Sequence, residues 1–264
     1  MARRCLVVIV DYHMHLRDPE ERVTHSLEAI ERFVETAAAR GVDEIGFTEH
    51  VYYFRQTRPV WTLEYQTERC VYDLDAYVGV VLEAKRAGMP VKLGLEVDYV
   101  GDRQGELAAA LEPYPWDYLL GSVHWLDGLA VDQDPGVWGV ESVEGVWRRY
   151  FAALSELAAS GHVDVLAHPD LAKIFRRWPE RVDYPALDGV ALEISTAGLH
   201  KPVGEIYPAP EMLAGRPPIT LASDAHVPQN VGRDLDRAVE HARAAGYETV
   251  TVFEGRRGRQ EPLG

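Results

Sequence analysis

The sequence predicts a parallel α/β barrel, and three observations carry that reading. Seven apolar stretches rich in β-branched residues recur along the 264 residues, helical stretches lie between several of them, and clusters of His, Asp and Glu directly follow six of the seven. In a β/α barrel the ends of many strands converge on one mouth, so residues far apart in sequence meet in space. A doubly wound open sheet concentrates its site at a single switch point instead. Clusters after so many strand candidates favour the barrel.

The elements follow in order. Leu6–Val10 is the first strand candidate and runs into Asp11-Tyr12-His13-Met14-His15. Leu27, Ile30, Phe33, Val34 and Ala37 lie at helical 3,4 spacing within His25–Arg40, and Gly41 is a natural stop. Glu44–Phe47 leads to Thr48-Glu49-His50. Residues 52–72, with Trp61, Tyr65 and several arginines, form a long connection placed to lie over the mouth. A helix over Asp75–Ala87 stops at Gly88, and the strand Val91–Val97 carries Gly94-Leu95-Glu96. Tyr118–Val123 ends in Ser122-Val123-His124, and a helix over Glu141–Ser160 stops at Gly161. Val163–Ala167 leads to His168-Pro169-Asp170, Val190–Ile194 follows, and Ile219–Ala222 leads to Ser223-Asp224-Ala225-His226. Val231–Ala245 is the last helix and stops at Gly246. The strand runs are mostly continuous rather than alternating, as expected where both faces are covered. The length suits a single domain over residues 1–264.

Composition narrows the function. Apolar residues make up 47% and no low-complexity tract interrupts the pattern, so the chain folds. A net charge of −15 argues against a nucleic-acid surface. It is compatible with a phosphorylated substrate, because two or three divalent cations bring about 4 to 6 positive charges into the site. Cys5 and Cys70 belong to no CxxC pair and read as two reduced thiols. The apolar run at Cys5–Val10 is too short for a secretory segment, and no stretch approaches the ~20 apolar residues of a membrane span. A cytoplasmic protein with no membrane partner is expected; oligomeric state is not legible.

His, Glu and Asp are the ligands that zinc, iron and manganese accept. On an extended segment His13 and His15 point to the same side, where one ion can take both. Glu96 closes an apolar strand, so its partner is expected to be a cation, and its two oxygens could bridge two ions. His124 and His168 each end an apolar run. Asp224 and His226 repeat the first motif with an acidic member, while His25 and His50 lie further from a strong motif. Asp11 and Asp170, beside ligand candidates, are expected to hold imidazole rings.

Taken together, HxH, His, EH, GxE, SxH, HPD and DAH in this order resemble the polymerase-and-histidinol-phosphatase (PHP) family of phosphoesterases. The segments Asp43–His50, Gly94–Tyr99 and Lys201–Pro208 are most similar to its histidinol-phosphate phosphatase branch. The resemblance runs from about residue 9 to 245. It implies a distorted (βα)7 TIM-like barrel holding three metals (Zn, Fe or Mn). One would be bound by His13, His15, Glu96 and Asp224, a second by Glu96, His124 and His168, and the third by His25, His50 and His226. All nine positions carry the expected residue types. The implied activity is hydrolysis of a small phosphate monoester, with L-histidinol phosphate as the leading substrate and histidine biosynthesis as the setting. Glu96 would bridge, and Asp224 or His226 would assist the leaving group.

The branch usually has Asn and Arg where this chain has Ser195 and His200. Lys201 is then the nearest cation, and neither His nor Lys reproduces the planar fork of Arg. Arg17, Arg55, Arg58, Arg176 and Arg177 could compensate, and Tyr52, Tyr53, Phe54 and Trp61 could stack on a flat substrate group or form lid packing. Another small ester, a nucleotide or a phosphotyrosine peptide is the alternative substrate. An amidohydrolase-type enzyme would need a bridging lysine at a strand end, but Lys92 lies inside its strand. A non-catalytic metal-binding module is the alternative of a different class.

Overall fold

Parallel strands wrap into a barrel in the computed structural model, which describes residues 7–18 and 20–264. Cys5 and the start of the first strand candidate lie outside the described residues. In chain order the elements begin with β1 (Val10–Asp11), α1 (Leu27–Ala39), β2 (Glu44–Phe47), α2 (Glu64–Arg69), α3 (Leu74–Arg86), β3 (Val91–Leu93) and β4 (Glu96–Asp98). Then come α4 (Gln104–Leu111), β5 (Leu120–Ser122), β6 (Trp125–Leu126), β7 (Leu129–Ala130), α5 (Val143–Ala159) and β8 (Val165–Leu166). The chain finishes with β9 (Ala191–Ser195), β10 (Ile219–Ala222), α6 (Leu235–Ala244), β11 (Thr249–Glu254) and β12 (Arg257–Pro262). All seven strand candidates and the four expected helices are therefore present, β2 and β10 with the expected ends and the others with shifted ones.

Two parallel sheets, β1-β2-β3 and β10-β9-β8-β5-β4, make the wall. Backbone bonds join them at both seams. On one side Tyr12 N donates to Leu221 O at 2.9 Å and His15 N to Ala225 O at 2.8 Å. On the other, Gly94 N donates to Phe47 O at 2.9 Å and Glu96 N to Glu49 O at 3.0 Å. The run Val91–Val97 is thus not one strand: it breaks at Gly94-Leu95 and passes from one sheet to the other. Asp11 fastens the first seam, accepting from Ser223 N at 2.8 Å, Ser223 Oγ at 2.5 Å and Gly232 N at 2.7 Å. The antiparallel β11–β12 pair closes the far end of the chain, with Phe253 tilted against Tyr12 and Tyr118.

Helices lock onto this wall by their apolar stripes. Ser26 caps α1, accepting from Ala29 N, and buries Ile30, Phe33 and Ala37 inward. Asp73 caps α3 and Ser142 caps α5 in the same way. The connection at 52–72 is built of 3-10 turns and α2, and Tyr52, Tyr53, Phe54 and Trp61 are all buried. These aromatics are packing rather than an open stacking platform, with the Tyr52 ring stacked on His50 at 5.0 Å.

Inside the barrel, Tyr118 lies flat against Tyr12 at 5.0 Å and its hydroxyl donates to Tyr12 O at 2.7 Å. That packing requires glycine at 46, where a Cβ would fall 1.9 Å from the Tyr118 hydroxyl oxygen. A G46A variant is expected to lose about 1–3 kcal/mol through overpacking, which lowers Tm by roughly 2–4 °C per kcal/mol. Gly105 in α4 has nothing within 4 Å of its added Cβ, so G105A should be neutral or stabilising by up to about 1 kcal/mol. Equal melting temperatures for G46A and the parent chain would refute this packing.

Candidate metal centre

Glu96 is the hub of the mouth. It stands at the start of β4 with 1% exposure, and five imidazoles converge on its two oxygens. Its Oε2 lies 2.6 Å from His50 Nδ1, 3.6 Å from His13 Nε2 and 3.8 Å from His15 Nε2. Its Oε1 lies 3.2 Å from His168 Nε2 and 3.5 Å from His124 Nε2. Asp224 faces the same space: its Oδ1 is 3.7 Å from His13 Nε2, 3.6 Å from His15 Nε2 and 3.5 Å from His226 Nδ1.

Most of these separations are too long for hydrogen bonds, and they suit atoms that share an ion. Ligands on a tetrahedral ion with ~2.0–2.1 Å bonds stand about 3.3 Å apart. His13 Nε2, His15 Nε2, His50 Nδ1 and Glu96 Oε2 are buried with no hydrogen-bond partner, an expensive arrangement unless a cation completes it. The ligand atoms fall into four overlapping sets, each within 4.8 Å: His13, His15 and Asp224; His13, Glu96 and His168; His50, Glu96 and His124; and His15, His50 and His226. The residues fit divalent metal. His25 Nε2 is likewise buried without a hydrogen-bond partner, 3.6 Å from Glu49 Oε1, with its ring among Phe54, Tyr72 and Tyr77.

Carboxylates behind the ring fix the imidazoles. His13 Nδ1 is 2.8 Å from Glu193 Oε2, and His124 Nδ1 is 2.9 Å from Asp98 Oδ1. Glu49 accepts from Leu16 N at 2.6 Å and faces His15 Nδ1 at 3.6 Å. These orienting roles were expected of Asp11 and Asp170, and that expectation is corrected. Asp11 is consumed by the barrel seam, and Asp170 accepts from Ala209 N at 2.8 Å and pairs with Lys173 at 3.0 Å. Sequence reasoning missed Glu193 and Asp98, although each is an acid within an apolar strand, the same signal that singled out Glu96.

The electrostatics follow from the crowding. Burial would raise Glu96, but His50, His124 and His13 outweigh it and hold the carboxyl well below its usual range. Asp224 is also held well below its range, with His13, His15 and His226 overcoming burial. Burial lowers His226 to about 3, with neighbouring His15 adding to the effect. Burial also works to lower His124, but Glu96 and Asp98 override it and raise the ring to about 10.

The expected substrate cations are scattered. Arg17 donates to the Tyr53 hydroxyl at 2.7 Å and keeps a buried, unpartnered Nε. Arg55 is tied to Asp73 at 2.9 Å, and Arg58 to the carbonyl of Thr67. Arg176 donates to Val203 O at 3.0 and 3.1 Å, while Arg177 pairs with Asp134 at 2.7 Å. His200 is bound to Asp234 at 2.7 Å, and Lys201 is exposed. Arg55, Arg58, Arg176, Arg177 and His200 thus have structural partners of their own.

Comparison with known proteins agrees with this architecture. The family model described as "PHP domain" matches residues 11–197. A "Probable histidinol-phosphatase" of Deinococcus radiodurans is 31% identical over 259 residues, covering 92% of this chain and 96% of the relative. The "Histidinol-phosphatase" of Bacillus subtilis is 25% identical over 81% of this chain and 93% of its own length. The crystal structure of histidinol phosphate phosphatase from Lactococcus lactis, complexed with zinc, L-histidinol and phosphate, superposes with a TM-score of 0.67 at 20% identity, covering 96% of this chain and all of that one. Among the described residues, no helix is long and apolar enough to cross a membrane.

Because a metal needs neutral imidazole and His124 is raised to about 10, zinc binding should release protons at pH 7. Apparent affinity should then climb roughly tenfold per pH unit for each proton displaced, until that range is passed. Calorimetric titrations in buffers of different ionisation enthalpy measure this directly; pH-independent binding would remove His124 from the ligands.

Proposed function

This chain belongs to the PHP-domain family, and on that premise we propose that it is a metal-dependent phosphatase of small phosphate monoesters. L-histidinol phosphate is the substrate we favour, giving L-histidinol and phosphate. The observation that carries the reading is the convergence of five imidazoles on one buried carboxylate, with Asp224 facing the same space. Relatives named for histidinol phosphatase activity, one crystallised with zinc, L-histidinol and phosphate, support the choice of substrate.

His13, His15, Glu96 and Asp224 would hold one ion, and Glu96, His124 and His168 a second, with Glu96 bridging. Bound divalent ions lower the pKa of water toward neutrality and neutralise phosphoryl oxygens as charge shifts. The chain's own residues handle the proton. A P–O bond forms to the oxygen of the attacking water, the P–O bond to the alkoxide breaks, and a proton from the water must end on the alkoxide. We assign the transfer of that proton to Asp224, whose Oδ1 faces this space beside His13, His15 and His226. His226 is lowered by burial to about 3, which disfavours its imidazolium form at pH 7. It stands 3.5 Å from Asp224 Oδ1 and so supports the carboxylate rather than acting as the acid.

The metal-reconstituted protein should release phosphate from L-histidinol phosphate with kcat/KM above that for nucleotides, a phosphotyrosine peptide and a phosphodiester. Weak turnover of L-histidinol phosphate beside good turnover of another monoester would move the substrate and keep the mechanism. D224N should lower kcat by about 10²–10⁴-fold, with the melting temperature of the metal-free protein preserved. Parent-like rates in D224N would overturn its role.

A further inference from the structure

One carboxylate serves two of the metal-facing histidines, and it has little freedom in how it does so. Glu193 is the central residue of β9, fully buried between β8 and β10. Its Oε2 stands 2.8 Å from His13 Nδ1, and its Oε1 accepts from His168 N at 3.2 Å. The second bond is a fixed point, because a backbone N–H can only donate. His168 holds φ 30°, in the left-handed region that few residues other than glycine adopt, so this bond also helps to hold the turn that presents its ring.

With Oε1 committed, Oε2 is the atom left for His13. A metal takes a neutral imidazole, which carries its single proton on one nitrogen or the other. A carboxylate oxygen accepts, so it draws that proton to His13 Nδ1 and leaves the lone pair on Nε2. Nε2 is the nitrogen 3.6 Å from Glu96 Oε2 and 3.7 Å from Asp224 Oδ1, buried without a hydrogen-bond partner. His124 is less dependent on one acid, since its Nδ1 meets the Ser122 hydroxyl at 3.3 Å as well as Asp98, and a hydroxyl can turn to donate or accept. Among the described residues, Glu193 is the hydrogen-bond partner His13 Nδ1 has.

We propose that Glu193 is a positioning residue for metal: it sets the His13 tautomer that can ligate an ion, and its second oxygen ties that choice to the turn carrying His168. A glutamine at 193 puts the two demands in conflict. Its amide oxygen must face the His168 N–H, since two donors cannot pair there, and its NH2 then faces His13 Nδ1. The ring proton is forced to Nε2, and the metal-facing nitrogen loses its lone pair. An alanine removes both bonds but dictates no tautomer. A side chain that only supported the fold would rank the two the other way, with the alanine variant the worse.

The inference rests on the metal-centre reading and not on the choice of substrate, so zinc binding tests it without turnover. The full chain, stripped with a chelator, is titrated with zinc against a chromophoric competitor. E193Q should bind at least one zinc ion about 10–100-fold more weakly than the parent, and more weakly than E193A does. E193D, which keeps the carboxylate on a shorter stem, should fall between the parent and E193Q. Nuclear magnetic resonance of the zinc-loaded parent, with its histidine ring nitrogens labelled, should show His13 bound to metal through Nε2 and protonated at Nδ1. Parent-like zinc affinity in E193Q, weaker binding in E193A than in E193Q, or a His13 ring bound through Nδ1 would each overturn the proposal. If zinc binding follows this order but no phosphomonoester is turned over, the reaction reading fails and the role of Glu193 stands.

Discussion

The architecture turns on a negative charge placed where water cannot reach it. Glu96 is 1% exposed, and an isolated carboxylate there would be forced to take up a proton. Five histidines from the ends of β1, β2, β5 and β8 surround it, which is possible because parallel strands deliver their C-terminal ends to one mouth. The break at Gly94-Leu95 serves the same end. By carrying the chain from the first sheet to the second immediately before Glu96, it puts the carboxylate at the barrel seam rather than at its rim. Tyr77 steadies the break, its hydroxyl donating to Gly94 O at 2.9 Å.

Such a cluster is unstable without compensation, and the compensation is layered. Imidazoles 4.4 Å apart, such as His15 and His50, resist joint protonation. Glu193, Asp98 and Glu49 supply negative charge behind them and fix which nitrogen faces inward. Glu193 acts twice, also accepting from His168 N at 3.2 Å, so one residue of β9 aligns ligands that follow β1 and β8. His168 lacks a counterpart of this kind: its Nδ1 is buried without a partner, as are the Tyr207 hydroxyl and one Asp170 oxygen nearby in sequence or space. Its inner nitrogen is instead the second nearest of the five to Glu96, at 3.2 Å.

Much of this was legible in the sequence because parallel strands with both faces covered write continuous apolar runs, and each metal-facing side chain sits where such a run ends. β2 was readable to its ends, since Glu44 and Thr48 bracket its apolar residues. The split into β3 and β4 was hidden because Gly94-Leu95 reads like any other stretch of buried strand. The hairpin of β6 and β7 is too short for a periodic signal, and α4 is so uniformly small and apolar, with three successive alanines, that no polar face marks it. Glu193 showed the same local signal as Glu96, an acid within an apolar strand, but its role depends on β9 lying beside β8, a pairing that no local pattern encodes.

The departures at 195 and 200 carry the last step of the argument. Both positions are absorbed by the scaffold. Ser195 exchanges backbone bonds with Tyr207 at 2.7 and 3.0 Å, and His200 is bound to Asp234, which holds a left-handed turn at the start of α6. In this stretch the exposed Lys201 is the cation left without an acidic partner among the described residues, beside the paired His200. Arg17, only two residues beyond His15, donates to the Tyr53 hydroxyl and keeps a buried, unpartnered Nε.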